Sequence, residues 1–315
     1  MIHFFRQAGG DLFDGSPAYL DSLKSNFSAD QATGLIEVQT GPQEQVFLLF
    51  ANGDLAGAYR SGPEACLPIS EQEASLNWSA ESAPIRLLTL SDSAGRAIWL
   101  ALESRPRDRL EVRGANGWTG FLDECRVKQF TGQVQALSET CDGLVLFRRG
   151  LPVLSEMVFC TSGGFESTPA RLSTCLQSTI QLTVSELDPA RPSGQYCKLR
   201  LGAADWSKTL LERYREMVGQ RLLQTLTDDL NAIISGWRWK IRLNGSDLVD
   251  RHFFSQKELA SQAYFTIFKG ITDRMQVVLG SLLAGRMTRE TFEMIESPEQ
   301  QSLAALNLTP AALAQ

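Results

Sequence analysis

Apolar residues fall into short runs over the first two hundred positions and into long stripes three or four apart thereafter, so the pattern predicts sheets first and helices last. Leu35, Ile36 and Val38 follow Thr33-Gly34, and residues 46–51 lead to the turn Asn52-Gly53. The same phrase returns as Thr131-Gly132-Gln133-Val134 and residues 144–151, with Gly150 at the turn. The two threonines lie 98 residues apart and the two turn glycines 97, so one deletion keeps both copies in register. Each copy predicts a β-meander fed by a short helix, around residues 19–23 in the first and 121–124 in the second.

Residues 84–90 predict a further strand, and Ser91-Asp92-Ser93 caps a helix through Glu103 with Ala97, Ile98, Ala101 and Leu102 on one face. Pro106 stops it, residues 109–113 alternate as a strand, and residues 114–117 mark a glycine turn into the second copy. That copy continues with a Ser/Gly-rich loop at 161–168, a helix over 169–177, a strand over 180–187, a break at 188–194 and a last strand over 196–201.

From Asp205 onward Leu211, Tyr214, Val218, Leu222, Leu226, Leu230 and Ile233 keep to one helical stripe. Residues 237–254 interrupt it as a hairpin, in which Trp237, Trp239, Ile241 and Leu243 alternate with Arg238, Lys240 and Arg242. An Asn244-Gly245 turn sets Arg242 opposite Asp247, the tryptophans inward and the cations outward. Ser255 and Glu258 form a capping box for a second long helix ended by Gly285, and Ser297-Pro298 and Thr309-Pro310 begin two tail helices. The fold class is α+β: module 1–115, related module 116–202, and a mainly helical domain 203–315 carrying hairpin 237–254. Phe265, Phe268, Val277 and Leu279 widen the second helix's apolar surface beyond one seam. A homodimer or a stable protein partner is therefore expected through residues 205–286.

A net charge of -6 disfavours general nucleic-acid binding, because duplex recognition draws on a basic excess. The six cysteines include no C-x-x-C pair and read as buried free thiols of a reducing cytoplasm. No run approaches the ~20 apolar residues that span a bilayer. Only His3 and His252 are present, and no phosphate loop, zinc-protease or nucleophile-elbow motif is found, so no catalytic, metal or cofactor site is assigned. Cys160 lacks a feature to lower its pKa, and the pairs Asp228-Asp229 and Glu212/Glu216 read as solvated helix charge.

Three basic places stand out. Arg105 and Arg109, with Arg113, have an R-x-x-x-R spacing that suits an alternative role as a small-ligand sensor, with a cyclic dinucleotide as the candidate ligand; the companion D/N-x-S-x-x-G is missing. Arg148 and Arg149 occupy the turn where the first copy has Ala51-Asn52, and Arg238, Lys240 and Arg242 form a cationic stripe. These last five are candidates for partner or phosphate contact. An unrecognised hydrolase is a third alternative.

The repeated Thr-Gly, apolar alternation and Leu-x-Phe-x-x-Gly resemble the DUF4388 and PATAN modules of bacterial signalling proteins. The residues that carry the likeness are Thr33, Gly34, Leu49, Phe50 and Gly53, then Thr131, Gly132, Leu146, Phe147 and Gly150. The resemblance covers some 70 to 90 of the 315 residues and implies a cytoplasmic, non-enzymatic regulator or adaptor that works through protein partners of a signalling or motility system. No receiver-domain phosphorylation motif accompanies it, and the helical C-terminal part lies outside it.

Overall fold

A computed structural model describes residues 10–41, 44–62, 66–76, 82–139, 142–161, 164–168, 171 and 179–314. The protein is α+β: two six-stranded antiparallel sheets are followed by helices and a two-stranded hairpin. Two compact units are present, Met1–Gly194 and Gln195–Gln315. The sheets of both predicted modules fall within the first, whose end at Gly194 precedes the expected end of the second module at 202.

The first copy runs β1 (Asp11–Gly15), α1 (Pro17–Asp30), β2 (Gly34–Gln39), β3 (Gln45–Ala51), β4 (Asp54–Arg60), β5 (Leu67–Ile69), α2 (Glu71–Leu76) and β6 (Ala83–Thr89). Helix α3 (Asp92–Glu103) follows it. The second copy runs β7 (Pro106–Arg113), α4 (Gly114–Val127), β8 (Gly132–Leu137), β9 (Asp142–Arg148), β10 (Leu151–Thr161), β11 (Gly164–Glu166) and β12 (Thr179–Glu186). The sheet orders β1-β6-β2-β3-β4-β5 and β7-β12-β8-β9-β10-β11 are the same order. Gly34 pairs with Phe50 as Gly132 pairs with Phe147, and both phenylalanines sit in equivalent cores, against Leu20, Leu23 and Phe27 of α1 or Trp118, Phe121 and Cys125 of α4.

The recurring Thr-Gly and turn glycine tie three segments together. In the first copy Gly53 donates its amide to Ala32 O at 2.9 Å and Asn52 donates to Thr33 Oγ1 at 3.2 Å. In the second, Gly150 donates to Phe130 O at 2.8 Å and Arg149 to Thr131 Oγ1 at 3.1 Å. Each helix–strand junction turns through a left-handed glutamine, Gln31 or Gln129, both at φ 49°. The hairpin tip then lies directly on the helix end: a Cβ on Gly150 would stand 2.3 Å from Arg126 Cα, and φ is 74° there. Only glycine meets both demands.

Alternate residues of each strand face opposite sides, and both sides are covered over the central strands β2, β3, β8 and β9. Helix α1 covers one face of the first sheet, α4 one face of the second, and α3 packs on the other face of both, against β3 and β5 of one sheet and β9 and β10 of the other. Eleven of the twelve residues of α3 are buried. Ser91 caps it by accepting from Ala94 N, as the sequence predicts. Its polar side chains find partners on either side: Trp99 Nε1 donates to Tyr59 Oη at 2.7 Å, Tyr59 donates to Glu103 at 2.8 Å, and Arg96 grips Glu156 through two bonds of 2.9 and 3.2 Å. Gln133 Nε2 of β8 donates to Ala97 O at 2.8 Å, and Ser193 N donates to Glu103 Oε2 at 2.8 Å.

Several expected boundaries are corrected. Residues 114–117 are the first turn of α4 and not a glycine turn. Residues 196–201 are helical, inside α5 (Pro192–Val218), because Tyr196, Leu199, Ala203, Trp206 and Leu210 share a helical face that a six-residue window reads as alternation. The expected division at 202/203 lies within this helix. The helix expected over 169–177 lies outside the described residues.

In the second unit the expected two long helices are four: α5, α6 (Gln220–Ser235), α7 (Lys257–Leu279) and α8 (Ser281–Glu293). Gly219 and Gly280, at φ 86° and 80°, make the corners, and Gly285 lies within α8 and does not end α7. Gln256, not Ser255, precedes α7 as its cap residue. Strands β13 (Ile241–Asn244) and β14 (Asp247–Asp250) form the hairpin, and α9 (Ser297–Ala304) and α10 (Pro310–Leu313) the tail. Trp206 stacks on Phe268 at 4.2 Å and meets Phe292 edge-on, so Phe268 belongs to the core and adds nothing to the surface. Asn231 clamps β13 by donating to Leu243 O and accepting from Leu243 N, both at 2.8 Å. Asp250 accepts from Tyr264 at 2.6 Å and Arg200 at 3.0 Å.

Gly150→Ala should destabilise the first unit by about 2 to 4 kcal/mol, since a strained φ and a backbone clash add. Gly53→Ala should cost less, because its Cβ would stop 3.1 Å from the nearest atom. Urea unfolding of both variants checks the order.

Candidate partner-binding surface

The segment after α6 breaks the alternation the sequence predicts. Ile241 and Leu243 point inward and Arg242 outward, but period two begins only at Ile241, where β13 starts. Arg238 takes a left-handed φ of 58°, which puts Trp237 and Trp239 out of step with the strand. The expected inward tryptophan pair is therefore corrected: Trp237 is 56% exposed and Trp239 half-buried. Their rings stack with centroids 5.2 Å apart and planes 12° from parallel. Both line a groove of about 390 Å³ whose other wall is α7, through Gln262, Phe265 and Thr266, with Leu306 at its end. Ser261 there donates to Leu306 O at 3.0 Å.

Arg238, Lys240 and Arg242 are all exposed, as expected. Arg242 stands opposite Val249 and not Asp247, because the two-residue loop is Gly245-Ser246 and not Asn244-Gly245. Gly245 alone has positive φ there, 58°, which is the demand of a type II′ turn. Arg251 joins these cations: its amide donates to Lys240 O at 2.8 Å, and its side chain is exposed. Arg238, Arg242 and Arg251 make no ion pair among the described residues.

The other basic places differ. Arg105 and Arg109 are exposed at and on β7, which pairs only with β12 and so forms a sheet edge. Arg107, Asp108, Glu111 and Arg113 share that strand, and Arg107 is paired with Glu186. Such a row of mixed charge guards an open edge against strand addition. Arg148 and Arg149 are half-buried at the β9–β10 tip, where Arg149 takes the left-handed place that Asn52 holds in the first copy.

The nucleophile and acid–base candidates sit in ordinary packing and in surface polar pairs. Burial, with the Asp142 carboxyl beside it, pushes the Cys160 thiol up to about 12. Cys66 and Cys125 are likewise buried and free, and Cys197 is buried. The His252 ring packs edge-on to Phe254, Asp229 pairs with Arg274, and Asp228 accepts from Gln224. No group of three or more metal-ligating side chains exists among the described residues. No described helix is long and apolar enough to cross a membrane.

One charged residue escaped the sequence reading. Asp142 in β9 is completely buried, and neither carboxylate oxygen meets a donor in hydrogen-bonding geometry among the described residues. It occupies the place Gln45 holds in the first copy, where an amide oxygen is likewise unpartnered. Burial pushes its carboxyl up to about 7, which the nearby Ser138 amide offsets only in part.

No family model, curated protein or solved structure matches the chain.

The Asp142 carboxyl gives a pH test. Between about pH 4 and 7 the folded chain keeps a proton that the unfolded chain has released, so stability falls as pH rises through this window. The fall should be on the order of 3 to 4 kcal/mol. Asp142→Asn should remove this component, narrowing the gap between urea unfolding at pH 5 and pH 8; an unchanged gap would refute it.

Proposed function

We propose that the chain acts by binding other proteins, without covalent chemistry of its own, as a cytoplasmic regulator or adaptor of a bacterial signalling or motility system. The resemblance of its repeats to such modules supports the setting. The binding role rests on one observation: an apolar surface left open at the helical corners of the second unit.

Helices α6 and α7 run antiparallel, with Trp237 beside Gln262 and Phe265 at one end and Leu230 against Gly270 further along. Asp229 pairs with Arg274 next to them. Continued in the same sense, the run carries the start of α6 toward the end of α7, and with them the Gly219 and Gly280 corners. Met217 and Leu222 flank the first; Val277, Val278, Leu282 and Leu283 flank the second, with Val277 82% and Leu282 88% exposed. Scattered apolar residues are ordinary on a surface, but a contiguous group of this kind marks an interaction site. Residues 276–283 carry no charge, so the patch can face its own copy across a two-fold axis without like-charge repulsion. Self-association through this corner, leaving the rest of the surface for regulatory partners, is the reading it supports.

Light scattering on the full chain should report a dimer, and Val277→Asp with Leu282→Asp should yield a monomer that keeps the circular dichroism spectrum of the folded wild type and a melting temperature independent of concentration. A wild-type monomer at all concentrations would overturn the corner's role. Affinity capture from native cells should retain proteins that an unrelated control does not; retention of none would overturn the binding reading itself.

A further inference from the structure

The groove beside Trp237 and Trp239 carries chemistry that selects its occupant. Tryptophan and arginine are the residue types that dominate the energetics of protein interfaces, and here they alternate within a few residues. The stacked indoles, Phe265 and Leu306 offer apolar walls, while Gln262 and Thr266 offer neutral polar groups along α7. A volume of about 390 Å³ suits one or two bulky side chains. The segment that carries both indoles, and the strand pair that follows it, present three exposed guanidinium groups, those of Arg238, Arg242 and Arg251, with no carboxylate paired to them among the described residues. On a chain of net charge -6 this is a local reversal of sign. It attracts a short stretch of negative charge, whereas the chain around it repels a long polyanion.

We infer that this groove receives an acidic segment of a partner protein, seating a large apolar side chain against Trp237, Trp239 and Phe265 while the segment's carboxylates meet Arg238, Arg242 and Arg251. The left-handed turn at Arg238 serves this arrangement. It holds both rings on one side and sends the guanidinium between them outward. The inference rests on the reading of the chain as a protein-binding regulator and names the chemistry of one partner.

The test is selection of a random peptide library, displayed on phage, on the intact protein. Recovered peptides should be acidic and carry a Trp, Phe or Leu. Their affinity should fall at least ~tenfold both in Trp237→Ser and in Arg238→Glu with Arg242→Glu. Binding should weaken as salt rises. Because Trp237 and both arginines are exposed, the variants should melt like the wild type; a variant that does not is replaced by Trp237→Phe or Arg242→Gln, from which a smaller loss in the same direction is expected. Peptides without acidic bias, peptides indifferent to both changes, or no enrichment would each overturn the proposal. So would labelled oligothymidylate that binds through Trp237 in place of the peptides. If native partners are captured but are indifferent to Trp237→Ser and the charge reversal, the binding reading stands and the groove's role falls.

Discussion

The first unit depends on a helix that has no solvent face. Helix α3 lies between two sheets, and its polar groups must be paired there, because an unpaired charge in such a place costs several kcal/mol. Arg96 meets Glu156 of the second sheet, while Glu103 receives Tyr59 of the first and the amide of Ser193. Burial adds that the Tyr59 hydroxyl is held far above its ordinary range, so it stays a donor to Glu103 at any physiological pH. These pairs contribute little net stability beyond what an apolar core would supply. Their effect is on alignment: α3 fits only one rotation and one height, and that in turn sets each sheet against the other.

The duplication was legible in the sequence because it is written in residues whose backbone demands are rare. Gly53 and Gly150 recur where a positive φ and a close approach coincide, and Thr33 and Thr131 where a hydroxyl accepts a turn amide. The strands between them were harder to delimit. Both faces of β3 and β9 are covered, so both read as continuous apolar runs in which alternation fades. Strand β1 left only Leu12 and Phe13 between two aspartates, too short an apolar run to read as a strand, and four of its five residues are partly or fully exposed at a sheet edge. In α3 only the Ala97, Ile98, Ala101 and Leu102 face was visible; the remainder is buried by a second sheet that no local pattern announces.

The groove and its cations were half legible for a similar reason. The cations Arg238, Lys240 and Arg242 stand outward as alternation requires, but the tryptophans that share their segment do not follow it. A single left-handed residue, Arg238, shifts the phase, and nothing in an arginine advertises positive φ. The opposite wall of the groove comes from α7, some twenty residues on, which becomes visible only when the two helices are placed side by side. Asp142 went unnoticed because a lone acid at the head of an apolar strand looks like the turn residue that usually stands there.

The order of strands within each sheet has a consequence for how the chain is made. Strand β1 closes its sheet by pairing with β6, so that Asp11 waits for Leu87, and β7 waits for β12 in the same way. Pairings between such distant positions form slowly, whereas helices joined at glycine corners assemble from contacts close in sequence. Helix α3 must wait as well, until β9 and β10 exist to receive its second side. During synthesis from the N-terminus, the first unit thus stays incomplete until β12, its last strand, has been made.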